Sequence, residues 1–188
     1  MNRVGLLLSA TLPVSRVSRC HIMLYVKSPL TDMEETFALF HGSSIESWTG
    51  DFDSLKLTVE CVYLAECINK SFRNFYLQFS AIDKLELHLW AYPPDVDNEV
   101  VTELRDIFWE ELEIVSTKRK KESLEIMCFQ HRYPRDRQGA TLHISCGSIE
   151  ILDQANNEIT TDRLSHLCSD YWDAFCKRKQ GALVKKQA

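Results

Sequence analysis

The sequence predicts an α/β fold in which strand–helix repeats build an open-faced, largely parallel sheet, closed by a C-terminal capping helix. Three observations predict it. The alternating stretch "DSLKLTV" at 53–59 returns thirty residues later as "DKLELHL" at 83–89. Between them, Leu64, Ile68, Phe72, Phe75 and Phe79 recur at spacings of three and four, the mark of an amphipathic helix. Finally, the alternate strand positions hold Lys56, Glu86, Glu113, Glu125 and Glu150. A parallel sheet covered on both faces would carry near-continuous apolar strands, so one face of this sheet is expected to be wet.

Taken in order, residues 20–26 alternate Cys20, Ile22, Leu24 and Val26 with His21, Met23 and Tyr25, a strand pattern. "TDME" at 31–34 has the form of a capping box, and Met33, Phe37 and Phe40 then share a helical face that Gly42 is suited to end. Leu55, Leu57 and Val59 define the second strand, and Leu85, Leu87 and Leu89 the third. After "YPPD", Val100, Leu104, Ile107 and Phe108 mark a further helix, and "EELEIV" at 110–115 opens a fourth strand. "STKRKKE" reads as a turn or loop. Strands follow at 123–129, 141–146 and 148–152, the first two separated by the polar loop "HRYPRDRQG". The last helix runs from about Thr161 to Lys179, with Leu164, Leu167, Cys168, Tyr171 and Phe175 on one face and Gly181 as its stop.

The 188 residues fit one α/β domain over 1–180, with 1–19 an edge or targeting segment and 181–188 a basic tail. A hydrophobic content of 45% and a charged content of 26% are those of a folded protein rather than a disordered one. The net charge of −5 weighs against a general nucleic-acid binder, which needs a basic field. Seven cysteines at irregular spacings offer no zinc knuckle and read as reduced core thiols of an intracellular protein, cytoplasmic or nuclear. The first acidic residue is Asp32, which leaves organellar targeting by the N-terminal segment open. "VGLLLSA" is too short to cross a membrane.

Aligned on the strands, the repeat reads apolar-x-x-[L/I]-x-[L/I]. Phe52 leads Leu55 and Leu57, Ile82 leads Leu85 and Leu87, Trp109 leads Leu112 and Ile114, and Cys146 leads Ile149 and Ile151. Over residues 50–152 this resembles the long, degenerate leucine-rich repeats in the C-terminal regions of F-box proteins. That resemblance implies stacked parallel strands joined by crossovers and a role in substrate recognition by a ubiquitin-ligase adaptor. Glu60, Trp90, Thr117 and Gln154 stand where the repeat's asparagine is expected, and no F-box helix pattern precedes the repeats.

Stacked in register, the glutamates of such a sheet form an acidic column with apolar residues beside it. The candidate partner-binding set is therefore Glu86, His88, Trp90, Glu113, Glu125, Met127, Phe129 and Glu150, facing a basic protein surface. An ordinary solvated strand face is the alternative. The expected function is a non-catalytic protein-interaction module without cofactor or metal. A small α/β enzyme with a loop-borne site is a second class, and an RNA-binding sheet stacking bases on Trp90, Tyr92 and Phe129 a third. Chemistry-bearing motifs are missing. The six glycines, at 5, 42, 50, 139, 147 and 181, never cluster into a phosphate loop, and no G-x-S-x-G elbow exists. His143 and Cys146, three apart on a strand, point to opposite faces.

Overall fold

A computed structural model describes residues 28–90, 99–130 and 139–185. The strand expected at 20–26, the segment 1–19, Tyr92 and the loop 131–138 lie outside them. The chain runs α1 (Pro29–Leu39), β1 (Ser44–Gly50), β2 (Ser54–Glu60), α2 (Val62–Ile68), β3 (Asn74–Leu89), β4 (Glu99–Val101), α3 (Leu104–Ile107), β5 (Leu112–Arg119), β6 (Leu124–Phe129), β7 (Gly139–Leu152) and α4 (Thr161–Lys185).

Every strand pairing is antiparallel, which overturns the parallel strand–helix repeat and the leucine-rich-repeat architecture with it. The order β2-β1-β5-β6-β7-β3-β4 closes on itself through an additional β2–β3 pairing, so six strands form a barrel-like ring with β4 attached to the upper half of β3. The difference turns on residues 69–79. Helix α2 ends at Ile68, and Phe75, Leu77 and Phe79 are buried on β3 while Tyr76 and Gln78 are turned outward. Phe75 and Phe79 lie four apart, an even spacing that one face of a strand satisfies as well as one face of a helix. The supposed crossover helix is thus a short insertion in an antiparallel connection, with β2 paired to β3 from Ser54↔Ser80 to Glu60↔Asn74.

Other expectations shift for local reasons. Residues 44–50, read as no element, form β1. The helix expected at 100–108 is divided into β4 and the single turn α3. β5 continues through the charged run to Arg119, because its alternate side chains face solvent. The strands at 141–146 and 148–152 are one bent strand, β7. The leading apolar residues do not all enter the core: Phe52 and Trp109 are exposed. Helix α1 starts at Pro29, with Ser28 as N-cap, so Thr31 is inside it and the capping box does not form. Instead Thr31 Oγ1 accepts from Arg119 Nη1 at 2.7 Å and Glu34 Oε1 from the Arg119 amide at 3.2 Å, tying α1 to β5. Gly42 takes the left-handed conformation expected of it, at φ 74°, whereas α4 continues through Gly181.

α1 supplies the centre of the core. Met33, Phe37 and Phe40 are wholly buried, with Phe37 stacked on Phe79 (centroids 6.3 Å apart) and Phe40 tilted on Phe75 (5.3 Å). Around them close Leu55, Leu57, Leu77, Leu87, Leu112, Ile126, Leu142 and Ile144. The ring bends sharply where Ala81, at φ 52°, stands against Gly147 and the register slips between Ile82 and Lys84. That irregularity separates the outward residues of β3 and β7 into two stretches, Tyr76–Ser80 with Ser148–Leu152 and Lys84–Leu89 with Ala140–Ser145. Helix α4 seals one end with Leu164, and further along it an aromatic cluster of Tyr63, Tyr171, Trp172 and Phe175 joins it to α2.

Candidate functional site

Beyond the bend, β3, β7 and β6 lie side by side, and their inward residues alternate with an outward row set. Register places Glu86 opposite His143, His143 opposite Glu125, and Glu125 opposite Lys118. One step along, His88, Thr141, Met127 and Ser116 form the next row. A third joins Phe129 to Gly139 on one side and Glu113 on the other. Six of the eight predicted residues therefore share this face: Glu86, His88 and Trp90 from β3, and Glu125, Met127 and Phe129 from β6. Glu113 stands at its margin on β5. Glu150 does not belong to it, because it lies past the bend, opposite Gln78.

The glutamates do not form an acidic column. Antiparallel register interleaves them with bases, so Glu86–His143–Glu125–Lys118 alternates in kind. Lys84 Nζ lies 3.1 Å from Glu86 Oε2 and Lys120 Nζ 3.3 Å from Glu125 Oε2. Lys84 shares a face of β3 with Glu86 and could have been read from the strand alone, whereas Lys118, Lys120 and His143 could be grouped with the glutamates only from the pairing.

Glu86 Oε2 also meets His88 Nε2 at 3.0 Å. The His88 hydrogen bond, with that of Lys84 after it, holds the Glu86 carboxyl below the usual range. His88 and His143 stack with ring centroids 4.2 Å apart. Burial, and then the neighbouring His88, lowers the His143 pKa, while Glu125 at 3.9 Å is too distant for a hydrogen bond and opposes the shift only by charge. His143 faces outward while Cys146 is buried, as the strand alternation requires.

The apolar part of the face is built around a missing side chain. Trp90 donates its backbone N–H to the Gly139 carbonyl, and its indole lies over Gly139, where any Cβ would run into the ring. The indole Nε1 then donates to Thr141 Oγ1 at 3.0 Å, which fixes the ring against β7. On β6, Met127 and Phe129 keep 38% and 41% of their surface exposed, enough to contact something larger than water. The result is an aromatic and thioether patch with ion pairs on one side of it.

Among the described residues no group of His, Cys, Asp and Glu side chains is arranged to hold a metal ion. The six described cysteines are free thiols, with Cys61, Cys128 and Cys146 buried. Burial pushes the Cys128 thiol up to about 12 and the Cys146 thiol up to about 11, so neither is primed as a nucleophile. Among the described residues no helix is long and apolar enough to cross a membrane. Comparison with protein-family models, with curated proteins and with solved structures finds no match.

Proposed function

We propose that this protein is a non-catalytic interaction module that binds a protein partner through the outer face of β3, β7 and β6. One observation carries the reading: the half-exposed Met127 and Phe129 lie on a sheet face with the fixed Trp90 indole, with charged pairs beside them in the Glu86–Glu125 row. Binding surfaces commonly combine aromatic and methionine anchors at the centre with a polar rim. The partner is expected to bring an apolar anchor rather than a uniformly basic surface, because the glutamates here already have cationic neighbours. The resemblance behind an adaptor role in ubiquitin ligation needs a parallel repeat, and the sheet is antiparallel. The free thiols support a reducing, intracellular compartment.

The test compares crosslinked affinity purifications of the wild-type chain and a Met127→Glu/Phe129→Glu variant. A partner held by the first and lost by the second, with folding unchanged, supports the reading. Identical partner sets, or no partner for either chain, would refute it.

A further inference from the structure

His88 and His143 sit diagonally across β3 and β7, with ring centroids 4.2 Å apart. Diagonal neighbours in a sheet touch only through long or aromatic side chains, and here both are the side chains that change charge nearest neutral pH. Both stay partly exposed, so protons reach them from solvent.

The surrounding charges treat the first and second proton differently. On β3, Glu86 Oε2 lies 3.0 Å from His88 Nε2 and 3.1 Å from Lys84 Nζ. On β6, Glu125 stands 3.9 Å from His143 Nδ1 and holds Lys120 Nζ at 3.3 Å, with Lys118 of β5 opposite it. On the other side of β3, β4 sets Val100 opposite His88 and Glu99 opposite Leu89. Two carboxylates, each with a lysine, favour one added proton on the pair. A second proton meets the first across the stacked rings and is opposed by Lys84 as well.

The pair adjoins the apolar anchor of the face. His88 is directly opposite Thr141, whose Oγ1 accepts from the Trp90 indole at 3.0 Å. Met127 flanks Thr141 from the other strand, and Trp90 follows His88 by two residues.

We infer that the stacked histidines are a proton switch on this face: when both rings are charged they part, the bond holding Trp90 to Thr141 loosens, and the face releases an apolar partner. His143 then turns to Glu125, which is near it but not hydrogen-bonded while the rings are stacked. Up to two positive charges appear beside Met127 and Trp90, and covering them with an apolar group is costly. Burial, and then His88, lower the His143 pKa, so the rings stay stacked at neutral pH. The second charge is added only as pH falls below about 6.5, the ordinary imidazole value. The release rests on the binding reading above; the coupling of the two rings does not.

The experiment is an NMR titration of the full chain from about pH 8 to about pH 5, following the histidine Cε1–H groups, the Trp90 indole N–H and the Met127 methyl group. The pair should take up its protons in two steps about one unit or more apart, with the Trp90 and Met127 signals moving in the more acidic step. His88→Gln and His143→Gln should each leave one step and abolish that acidic movement. Independent titration of the two rings would overturn the switch. So would Trp90 and Met127 signals that ignore pH, or that move equally in both variants. In a capture made without crosslinker, the partner should leave the wild-type chain at about pH 5.5 and stay on His88→Gln. Retention by the wild type at that pH would overturn the release. Failure to capture any partner at neutral pH removes the binding reading, while the titration still decides the switch.

Discussion

Replacing Phe37 by alanine tests whether α1 is the centre of the barrel-like ring or a helix laid on its surface. Phe37 is wholly buried and stacked on Phe79, 42 positions later in the sequence, across the interior. A buried phenyl side chain removes roughly 150–200 Å² from water, worth about 4–5 kcal/mol at 25 cal/mol/Å² as an upper bound. Measured Phe→Ala substitutions in cores fall at about 3–5 kcal/mol. Against a total stability of about 5–15 kcal/mol for such a domain, the variant should lose about a fifth or more of it. Urea unfolding followed by far-UV circular dichroism would show this as a lower midpoint with an unchanged slope. The double variant Phe37→Ala/Phe79→Ala closes a thermodynamic cycle, and the pair should couple by about 0.5–1.5 kcal/mol. If Phe37→Ala leaves too little folded protein, Phe37→Leu, expected to cost about 1 kcal/mol, keeps the cycle measurable. A loss below about 1 kcal/mol for Phe37→Ala, or no coupling to Phe79, would refute the placement of α1.

Gly139→Val should drive the indole of Trp90 off β7 and break its bond to Thr141. Near-ultraviolet circular dichroism would report a lost aromatic signal, and partner binding through the β3–β7–β6 face should fall with it. Ala81→Gly should stabilise the fold by about 0.5–1 kcal/mol, because alanine at φ 52° is held in a conformation glycine adopts freely. An unchanged or lower thermal midpoint would contradict that. His143 has a lowered pKa in the fold, so the unfolded chain binds its proton more readily. Its contribution is complete above the unfolded value of about 6.5 and is lost as pH falls below it. Lys84, Glu86, His88 and Glu125 surround it, and the depressed carboxyl of Glu86 adds a further loss only below about 4.5, its unfolded value. The urea midpoint of His143→Gln should therefore be less sensitive than the wild type between about pH 7 and 5. Parallel curves for the two chains would remove His143 as the titrating group.

Alternation at Leu55–Leu57–Val59 and Leu85–Leu87–Leu89, the helical face of Met33, Phe37 and Phe40, and that of Leu164, Leu167, Tyr171 and Phe175 were all legible in the sequence and stand in the structure. These are local periodicities, and each residue's inward or outward direction follows from its own strand or helix. So did the outward direction of Glu86, His88, Glu125 and Met127. Strand direction was not legible, because alternation is identical in parallel and antiparallel sheets and only the intervening segment tells them apart. That segment was obscured at 69–79 by phenylalanines whose four-residue spacing satisfies both periods.

Everything that depends on which strands are neighbours was decided by the tertiary structure. Register set His143 between Glu86 and Glu125, turned an imagined acidic column into carboxylates interleaved with bases, and filled the gap at Gly139 with Trp90. Register also put Glu150 opposite Gln78, on the far side of the irregularity at Ala81 from Glu86 and Glu125. The reason is physical: a side chain's direction is a property of a few consecutive residues, whereas its neighbours depend on which distant segments bury their apolar faces together.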